Sequence, residues 1–437
     1  MGYIVTLLSL FLTIIAFFWD FKIFKRKNIF NPIFLFLCLW TFILFLSSLN
    51  LYNIIKPSNE SYLLISLMEI YILLGAIAGK MLLNNKSKLM KEYEIKYKMV
   101  YFVAILIIAF SLIDCAIIIK ERLNGVPMWQ IRNWTLMPYG SENPILSRRG
   151  FLEEALRTII LAPSQLIIFG ISAYDMFFNK NKKRNFILFS LSIVILILTS
   201  IAGGGGRLSF ITFFFCYVFA LLLKYKNSSE INLESNKKIF KYFILGAVLS
   251  FLITIILTSI RTGKGHFIKQ VYTYFALAPT LLSIWLPLIK INPHTYGMLT
   301  TFGFHSYIFR VLEKVGLKKL IPNTYHLAYS SILNAEKFKY VGFGKANAFV
   351  SPIYYFMIDG GVLFVVLASV IFGFVLQMFY NSIGEKADIR KFLQYVLVIY
   401  GVFISFMRIQ TCIPSYIISF VLIYFLTSSK KIKEAVL

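Results

Sequence analysis

The sequence predicts an all-α, polytopic integral membrane protein of about eleven transmembrane helices plus one re-entrant or interfacial segment. Three observations lead there. Hydrophobic residues make up 58% of the 437-residue chain and charged residues only 15%, where soluble domains run at about a quarter charged. Mean hydropathy is +0.75. The apolar residues also gather into runs of about 20, the length a helix needs to cross hydrocarbon.

These runs occupy 2–19, 33–52, 62–79, 99–119, 156–174, 186–202, 208–223, 242–260, 353–379, 392–407 and 412–428. The first starts at Gly2 without a basic leader or a small-residue cleavage site, and reads as a retained span. No internal repeat or low-complexity linker interrupts the series, so residues 1–437 are expected to form a single transmembrane domain. Cys38, Cys115, Cys216 and Cys412 all fall inside apolar runs without metal-ligand spacing, which assigns them to packing.

Charge sets the expected orientation. Lys and Arg number 45 against 19 Asp and Glu, a formal net charge of +26. In a soluble chain that excess points to nucleic acid. Here the basic residues cluster between apolar runs, where the positive-inside rule places them, and anionic membrane lipids suffice as partners. Lys22–Lys27, Lys80–Lys98, Lys180–Arg184 and Lys224–Lys241 alternate with the sparse connections 53–61 and 203–207. That pattern puts the N-terminus outside and the four basic loops in the cytoplasm. Lys386–Lys391 and Lys430–Lys433 are basic too, and both reach the cytoplasm only if the apolar run 271–289 does not fully cross. With Pro279 and Pro287 inside it, this run is expected to be re-entrant or to lie at the outer interface. Two long connections, 120–155 and 261–352, then face outward, and their aromatic, Gly, Pro and Arg content suits a folded cap.

Arginine and lysine separate by face on this topology. Arg26, Arg184 and Arg390 lie inside, whereas Arg122, Arg132, Arg148, Arg149, Arg157, Arg207, Arg261, Arg310 and Arg408 lie outside. The positive-inside rule does not distinguish the two residue types. Guanidinium offers a rigid fork for phosphate or carboxylate, so the outer arginines point to an anionic ligand. The plainer alternative is interfacial snorkelling or pairing with Glu142, Glu153 and Glu154. All four histidines (His266, His294, His305 and His326) fall in the same outer segment, where one can serve as a base and the others as ordinary polar residues.

Four strings carry chemistry. Gly203-Gly204-Gly205-Gly206-Arg207 joins two spans at their outer ends, with bare backbone N–H groups beside an arginine. It reads equally as a tight inter-helix turn, and a P-loop is excluded because GK[ST] is missing. Ile260-Arg261-Thr262-Gly263 ends an apolar run on a charge, which also suits an interface anchor. Gly125-Val126-Pro127 precedes Arg132. Gly342-Phe343-Gly344 leads through Asn347-Ala348-Phe349, Pro352, Tyr354 and Tyr355 to Asp359-Gly360-Gly361, leaving a carboxylate inside the start of a span.

In the order of these strings the chain resembles the Wzy-type oligosaccharide repeat-unit polymerases of bacterial surface polysaccharide assembly. That family carries an outward G-[IVL]-P element followed by arginine, a glycine–glycine–arginine element starting a mid-chain span, and a late Asn/aromatic stretch ending in Asp before glycine. The matches are Gly125-Val126-Pro127 with Arg132, Gly205-Gly206-Arg207, and Asn347 through Asp359-Gly360, over residues 100–380. Two departures are the four glycines before Arg207 and the second glycine after Asp359, where the family often has an aromatic nearby.

The resemblance implies a GT-C-like bundle with an outward-facing cap in a bacterial inner or plasma membrane. It implies a metal-independent glycosyltransferase that moves the growing glycan from polyprenyl pyrophosphate onto the next lipid-linked unit, with no cofactor. A flippase and a chain-length regulator are the implied protein partners. The residue types suit that chemistry. Arg207 and Arg261, assisted by Arg132 or Arg408, would hold the pyrophosphate, with Gly205 and Gly206 close to it. His305 or Asp359 would be the base for the acceptor hydroxyl. Trp129, Trp134, Tyr139, Tyr354 and Tyr355 suit sugar stacking. A flippase for lipid-linked oligosaccharide and an O-antigen-ligase-like transferase are the competing readings. A membrane acyltransferase is disfavoured because its HxxxxD element is not evident.

Overall fold

The computed structural model describes residues 1–24, 31–83, 92–127, 130–131, 134, 151–204, 206, 208–227, 267–383 and 388–429. The elements in chain order are α1 (Gly2–Phe24), α2 (Pro32–Leu49), α3 (Asn59–Leu83), β1 (Tyr93–Ile95), α4 (Tyr97–Leu123) and α5 (Phe151–Leu156). A π-helical turn (Arg157–Leu161) leads into α6 (Ala162–Phe178), followed by α7 (Lys182–Ala202), α8 (Leu208–Asn227) and α9 (Phe267–Ile291). The rest are α10 (Phe302–Lys314), α11 (Asn323–Ala335), β2 (Lys339–Tyr340), β3 (Lys345–Ala346), α12 (Ser351–Ser382), α13 (Ile389–Ile404), α14 (Pro414–Leu426) and β4 (Thr427–Ser429).

The chain is a polytopic, all-α membrane protein. Among the described residues seven helices are long and apolar enough to cross a membrane: α2, α3, α4, the stretch Leu152–Phe178, α7, α9 and α12. Shorter apolar helices cover Gly2–Phe18, Leu208–Lys224 and Pro414–Leu426. The expected span at 242–260 lies outside the described residues. The expected span at 392–407 coincides with α13, which has 16 residues. Among the described residues strands are confined to two antiparallel pairs, β1 with β4 and β2 with β3.

The chain divides into two compact units. The first comprises Met1–Leu89, Ile268–Gly384 and Val398–Ile417, and the second Met90–Phe267, Glu385–Leu397 and Ile418–Leu437.

In the first unit, polar side chains at mid-helix set the register of three helices. The Ser9 hydroxyl on α1 donates to Glu69 on α3 at 2.5 Å and lies 2.7 Å from the Thr41 hydroxyl on α2. Ser47 and Tyr62 meet at 3.1 Å nearer the connection between α2 and α3, so the end of α2 and the start of α3 stand level. Gly2 lies against Ser48 and Tyr62, which puts the N-terminus at that same end. α3 and α12 cross at backbone contact. A Cβ on Gly75 would sit 2.0 Å from the Val370 carbonyl oxygen, and one on Gly373 would sit 2.0 Å from that of Ile72. Small residues at a crossing replace hydrophobic drive with close packing, which lipid does not otherwise favour.

The run 271–289 is not re-entrant: it lies in α9, a continuous helix of 25 residues that neither Pro279 nor Pro287 interrupts. Each proline removes one N–H, but the chain does not turn back on itself there. α9 follows the connection between α2 and α3. The Tyr272 hydroxyl donates to the Leu46 carbonyl (2.7 Å) and accepts the Leu51 N–H (2.9 Å). Thr280 donates to the Ile55 carbonyl (3.0 Å), Ser283 accepts the Ser58 N–H (2.9 Å), and Lys290 pairs with Glu60 (2.7 Å).

In the second unit α6 packs on α8, and α4 on α7. Phe213 bridges two of these helices, 5.3 Å from Phe169 and 4.6 Å from Tyr217 between ring centroids. The π turn ends at Ala162, whose N–H reaches the Arg157 carbonyl five residues back. It brings Arg157 onto Asp114 (2.5 Å) and Glu153 (2.7 Å). Near the other end of α6, the Arg184 guanidinium lies 3.6 Å from buried Asp175 and 3.9 Å over the Tyr97 ring. β4 is held beside β1 by Arg390, which stacks on Tyr93 (3.7 Å) and Tyr424 (4.6 Å) and donates to Thr427.

Candidate functional site

The described site residues of the first unit converge on a break in α12. The helix runs regularly to Asp359, then Gly360 (φ −176°, ψ 31°) and Gly361 (φ 65°, ψ −155°) leave helical geometry. The second of these requires glycine, because positive φ with that ψ is essentially closed to side chains. The break frees two carbonyl groups, and the residues after α9 take them up. Thr295 N–H reaches the Ile358 oxygen (3.1 Å) and Tyr296 N–H reaches that of Asp359 (2.8 Å).

The Asp359 side chain is fully buried, and its oxygens are satisfied from that same turn. Oδ1 accepts the Thr295 hydroxyl and the Leu299 N–H (3.0 Å), and Oδ2 accepts the Thr300 N–H (2.8 Å). A buried carboxylate is stable when donors surround it, and each such bond to a charged group is stronger than a neutral one. In this arrangement Asp359 clasps the turn 295–300 onto the break. Neither oxygen is left without a protein donor.

α10 starts directly after the turn, and His305 projects back from it. Its Nε2–H donates to the Met298 carbonyl at 3.0 Å, which fixes the tautomer and leaves Nδ1 as the lone-pair nitrogen. Nδ1 is buried without a hydrogen-bond partner among the described residues. Phe302, Phe309 and Tyr325 surround the ring at centroid distances of 5.6, 5.4 and 6.2 Å. Burial holds the imidazole below the usual histidine range, with the Met298 carbonyl and the Asp359 charge pulling the other way. The ring is therefore a neutral acceptor at neutral pH. His294 packs on the other side of the break, its Nδ1 3.3 Å from the Ile358 carbonyl.

The stretch entering α12 is stapled on two sides. Asn347 donates to the Glu336 carbonyl (2.7 Å), Ala348 N–H to the Ala335 carbonyl (3.1 Å), and Val350 N–H to the Met407 carbonyl (3.1 Å). Ala348 (φ 65°) and Ser351 (φ 64°) both take left-handed backbone conformations, uncommon for residues with a Cβ. Beside them Arg408, just past α13, pairs with Glu336 at 2.9 Å while a quarter of its side chain stays exposed. The sequence offers Glu142, Glu153 and Glu154 as arginine partners. Glu153 does pair, with Arg157, but Arg408 takes a glutamate 72 positions upstream that no spacing pattern marks.

Tyr354 departs from the sugar-stacking expectation. It is 2% exposed, its hydroxyl donates to the Ser331 carbonyl (2.9 Å), and its ring meets Trp285 edge-on at 5.7 Å. Tyr355 is buried beside it at 5.3 Å. Both rings belong to a helix start that is buried from Ser351 through Asp359. In the second unit Gly206 takes part in a helix-end turn, its carbonyl accepting the Ser200 hydroxyl at 2.8 Å. Gly205, Arg207, Arg261 and Arg132 lie outside the described residues, as do Trp129 and Tyr139. Thr295, Met298 and Thr300 were missed by sequence reasoning, because two act mainly through backbone groups that every residue possesses.

No family model, curated protein or solved structure matches the chain.

Proposed function

We propose that this chain is a membrane glycosyltransferase of the polysaccharide-polymerase kind, acting at the outer leaflet of a bacterial plasma membrane. It transfers a growing glycan from polyprenyl pyrophosphate onto the next lipid-linked repeat unit. The observation that carries this reading is the Asp359–Gly360–Gly361 break with the turn that orients His305 clasped to it. From Val362 to Ser382 the helix is long enough to cross alone, roughly 30 Å. The break then stands at one end of the crossing, at the depth where a lipid-borne pyrophosphate meets water. Motif order supplies the chemistry, from Gly125-Val126-Pro127 through Gly205-Gly206-Arg207 to Asn347 and Asp359.

In the proposed reaction the acceptor hydroxyl attacks the anomeric carbon and the bond to the pyrophosphate oxygen breaks. His305 Nδ1 takes the hydroxyl proton, a role that requires the acceptor to displace part of the aromatic wall that buries this nitrogen. Asp359 is a positioning residue, holding the turn whose Met298 carbonyl orients His305. The resemblance assigns neutralisation of the departing pyrophosphate to Arg207 and Arg261, with Arg132 or Arg408 assisting. The contacts of α9 support an interfacial position for it. From Tyr272 to Lys290, roughly 27 Å of rise, it keeps to a connection whose two ends stand level. A crossing helix leaves that level within its first turns. An interfacial α9 keeps both late basic segments in the cytoplasm.

Reconstitution with lipid-linked repeat units tests the reading: a ladder of chain lengths is expected, and Arg207→Lys should leave only single units. A wild-type ladder from that variant removes Arg207 from the mechanism, and no ladder from the wild type defeats the polymerase. Two observations favour a flippase as the second reading. Transporters use interrupted membrane helices, and Glu69 is a wholly buried carboxyl at mid-helix. Movement of lipid-linked units across vesicles without polymer would select it.

A further inference from the structure

We infer that α10 is seated on an anionic bilayer surface, its outward stripe in the acyl region and its basic end among the head groups. Phe304, Ile308, Val311 and Val315 are 59, 60, 53 and 68% exposed. Their spacing of four, three and four residues puts them on one face of the helix. The opposite face is buried through Phe302, Gly303 and Ser306. A helix in water would carry its charges where this stripe lies, and an exposed contiguous apolar patch marks a partner.

Charge and depth identify that partner. Lys314, Lys318 and Lys319 cluster at the end of the stripe, which continues into exposed Leu317 and Leu320. Apolar residues flanked by lysine are the pattern of helices lying in the interface of anionic membranes. α10 also begins at Phe302, one residue beyond a turn whose Thr300 N–H bonds Asp359 at the α12 break. Since the remainder of α12 spans the hydrocarbon, α10 leaves the protein body at the membrane boundary. Its 13 residues, roughly 20 Å, are too few to cross. The inference concerns membrane seating alone and stands apart from the proposed reaction, although the seated helix carries His305.

The test uses full-length protein with single nitroxide labels on Phe304→Cys, Ile308→Cys, Val311→Cys or Glu313→Cys. Cys38→Ser serves as the background, since Cys115, Cys216 and Cys412 are buried. Each variant is reconstituted in vesicles of phosphatidylcholine with or without phosphatidylglycerol. Labels at 304, 308 and 311 should collide more with oxygen, which partitions into lipid, than with a water-soluble nickel chelate, and the label at 313 should do the reverse. Adding Lys314→Gln, Lys318→Gln and Lys319→Gln should shift the 308 label toward water in the anionic vesicles and leave it unchanged in the neutral ones. Equal nickel access at 308 and 313 overturns the inference. So does loss of access to both reagents with dipolar broadening between molecules, which identifies a second copy as the cover.

Discussion

The Asp359 carboxylate accepts the backbone N–H of Thr300 at 2.8 Å from the last regular turn before its helix breaks. A residue inside one helix thereby fixes the backbone 59 positions earlier, and the next helix starts from that fixed point. Through Met298, the same turn decides which nitrogen of His305 holds the proton.

Asp359→Asn should loosen this arrangement without leaving a cavity. An amide supplies one acceptor oxygen where the carboxylate supplies two, and its NH₂ group meets a backbone N–H. Leaving buried donors unsatisfied costs about 1–3 kcal/mol, more where a charge was involved. Lower thermal unfolding temperature and faster proteolysis between 292 and 305 are the expected readouts in detergent. Unchanged proteolysis would contradict the clasp.

His305 gives the protein a dependence on pH with a defined sign. Its pKa in the fold lies below the ordinary value near 6.5 because burial opposes the charge. The unfolded chain therefore binds the proton more readily. The stabilising contribution is complete above the unfolded pKa and is lost as pH falls through the folded one. His305→Gln retains a donor toward Met298 and removes the titration. The difference in unfolding temperature between wild type and variant should therefore shift against the wild type in acid. In the reconstituted polymer assay the same variant should lose chain extension at every pH.

Gly75 and Gly373 should tolerate no side chain. Gly75→Ala or Gly373→Ala puts a Cβ 2.0 Å from a backbone oxygen, so α3 and α12 must separate. Overpacking of this kind costs about 1–3 kcal/mol, and more where backbone must move. Gly344→Ala, which meets nothing within 4 Å, is the control. Thermal unfolding of the three variants should rank the control near wild type and both crossing variants well below it.

The ion pair between Arg408 and Glu336 separates structural from ligand roles. Both side chains are partly exposed, so their coupling in a double-mutant cycle should stay within about 1 kcal/mol. If Arg408 assists the pyrophosphate, Arg408→Ala should reduce polymer formation by tenfold or more, whereas Glu336→Gln should leave it within a few-fold. Equal losses from the two substitutions would assign Arg408 to structure alone.

Hydrophobic length marked the long apolar helices of the described residues in advance, since a membrane helix satisfies its own backbone and needs only local composition. The cap segment 292–350 was visible only as aromatic, polar and basic residues, and its helices α10 and α11 were not separated from their connections. Asp359 stood out because a carboxylate inside an apolar run is costly, and His305 was one of four histidines in one segment.

By itself, then, the sequence determined that this is a helical membrane protein, where the long apolar helices of the described residues lie, and the residue types available for chemistry. All of these are properties of a stretch of about 20 residues or of a single side chain. Only the tertiary structure decided that Asp359 clasps a turn, that Arg408 meets Glu336, that Tyr354 is enclosed, and that α9 follows the connection between α2 and α3. Those pairings join residues tens to hundreds of positions apart, often through backbone groups common to every residue. Composition and periodicity carry no record of such contacts; folding supplies them.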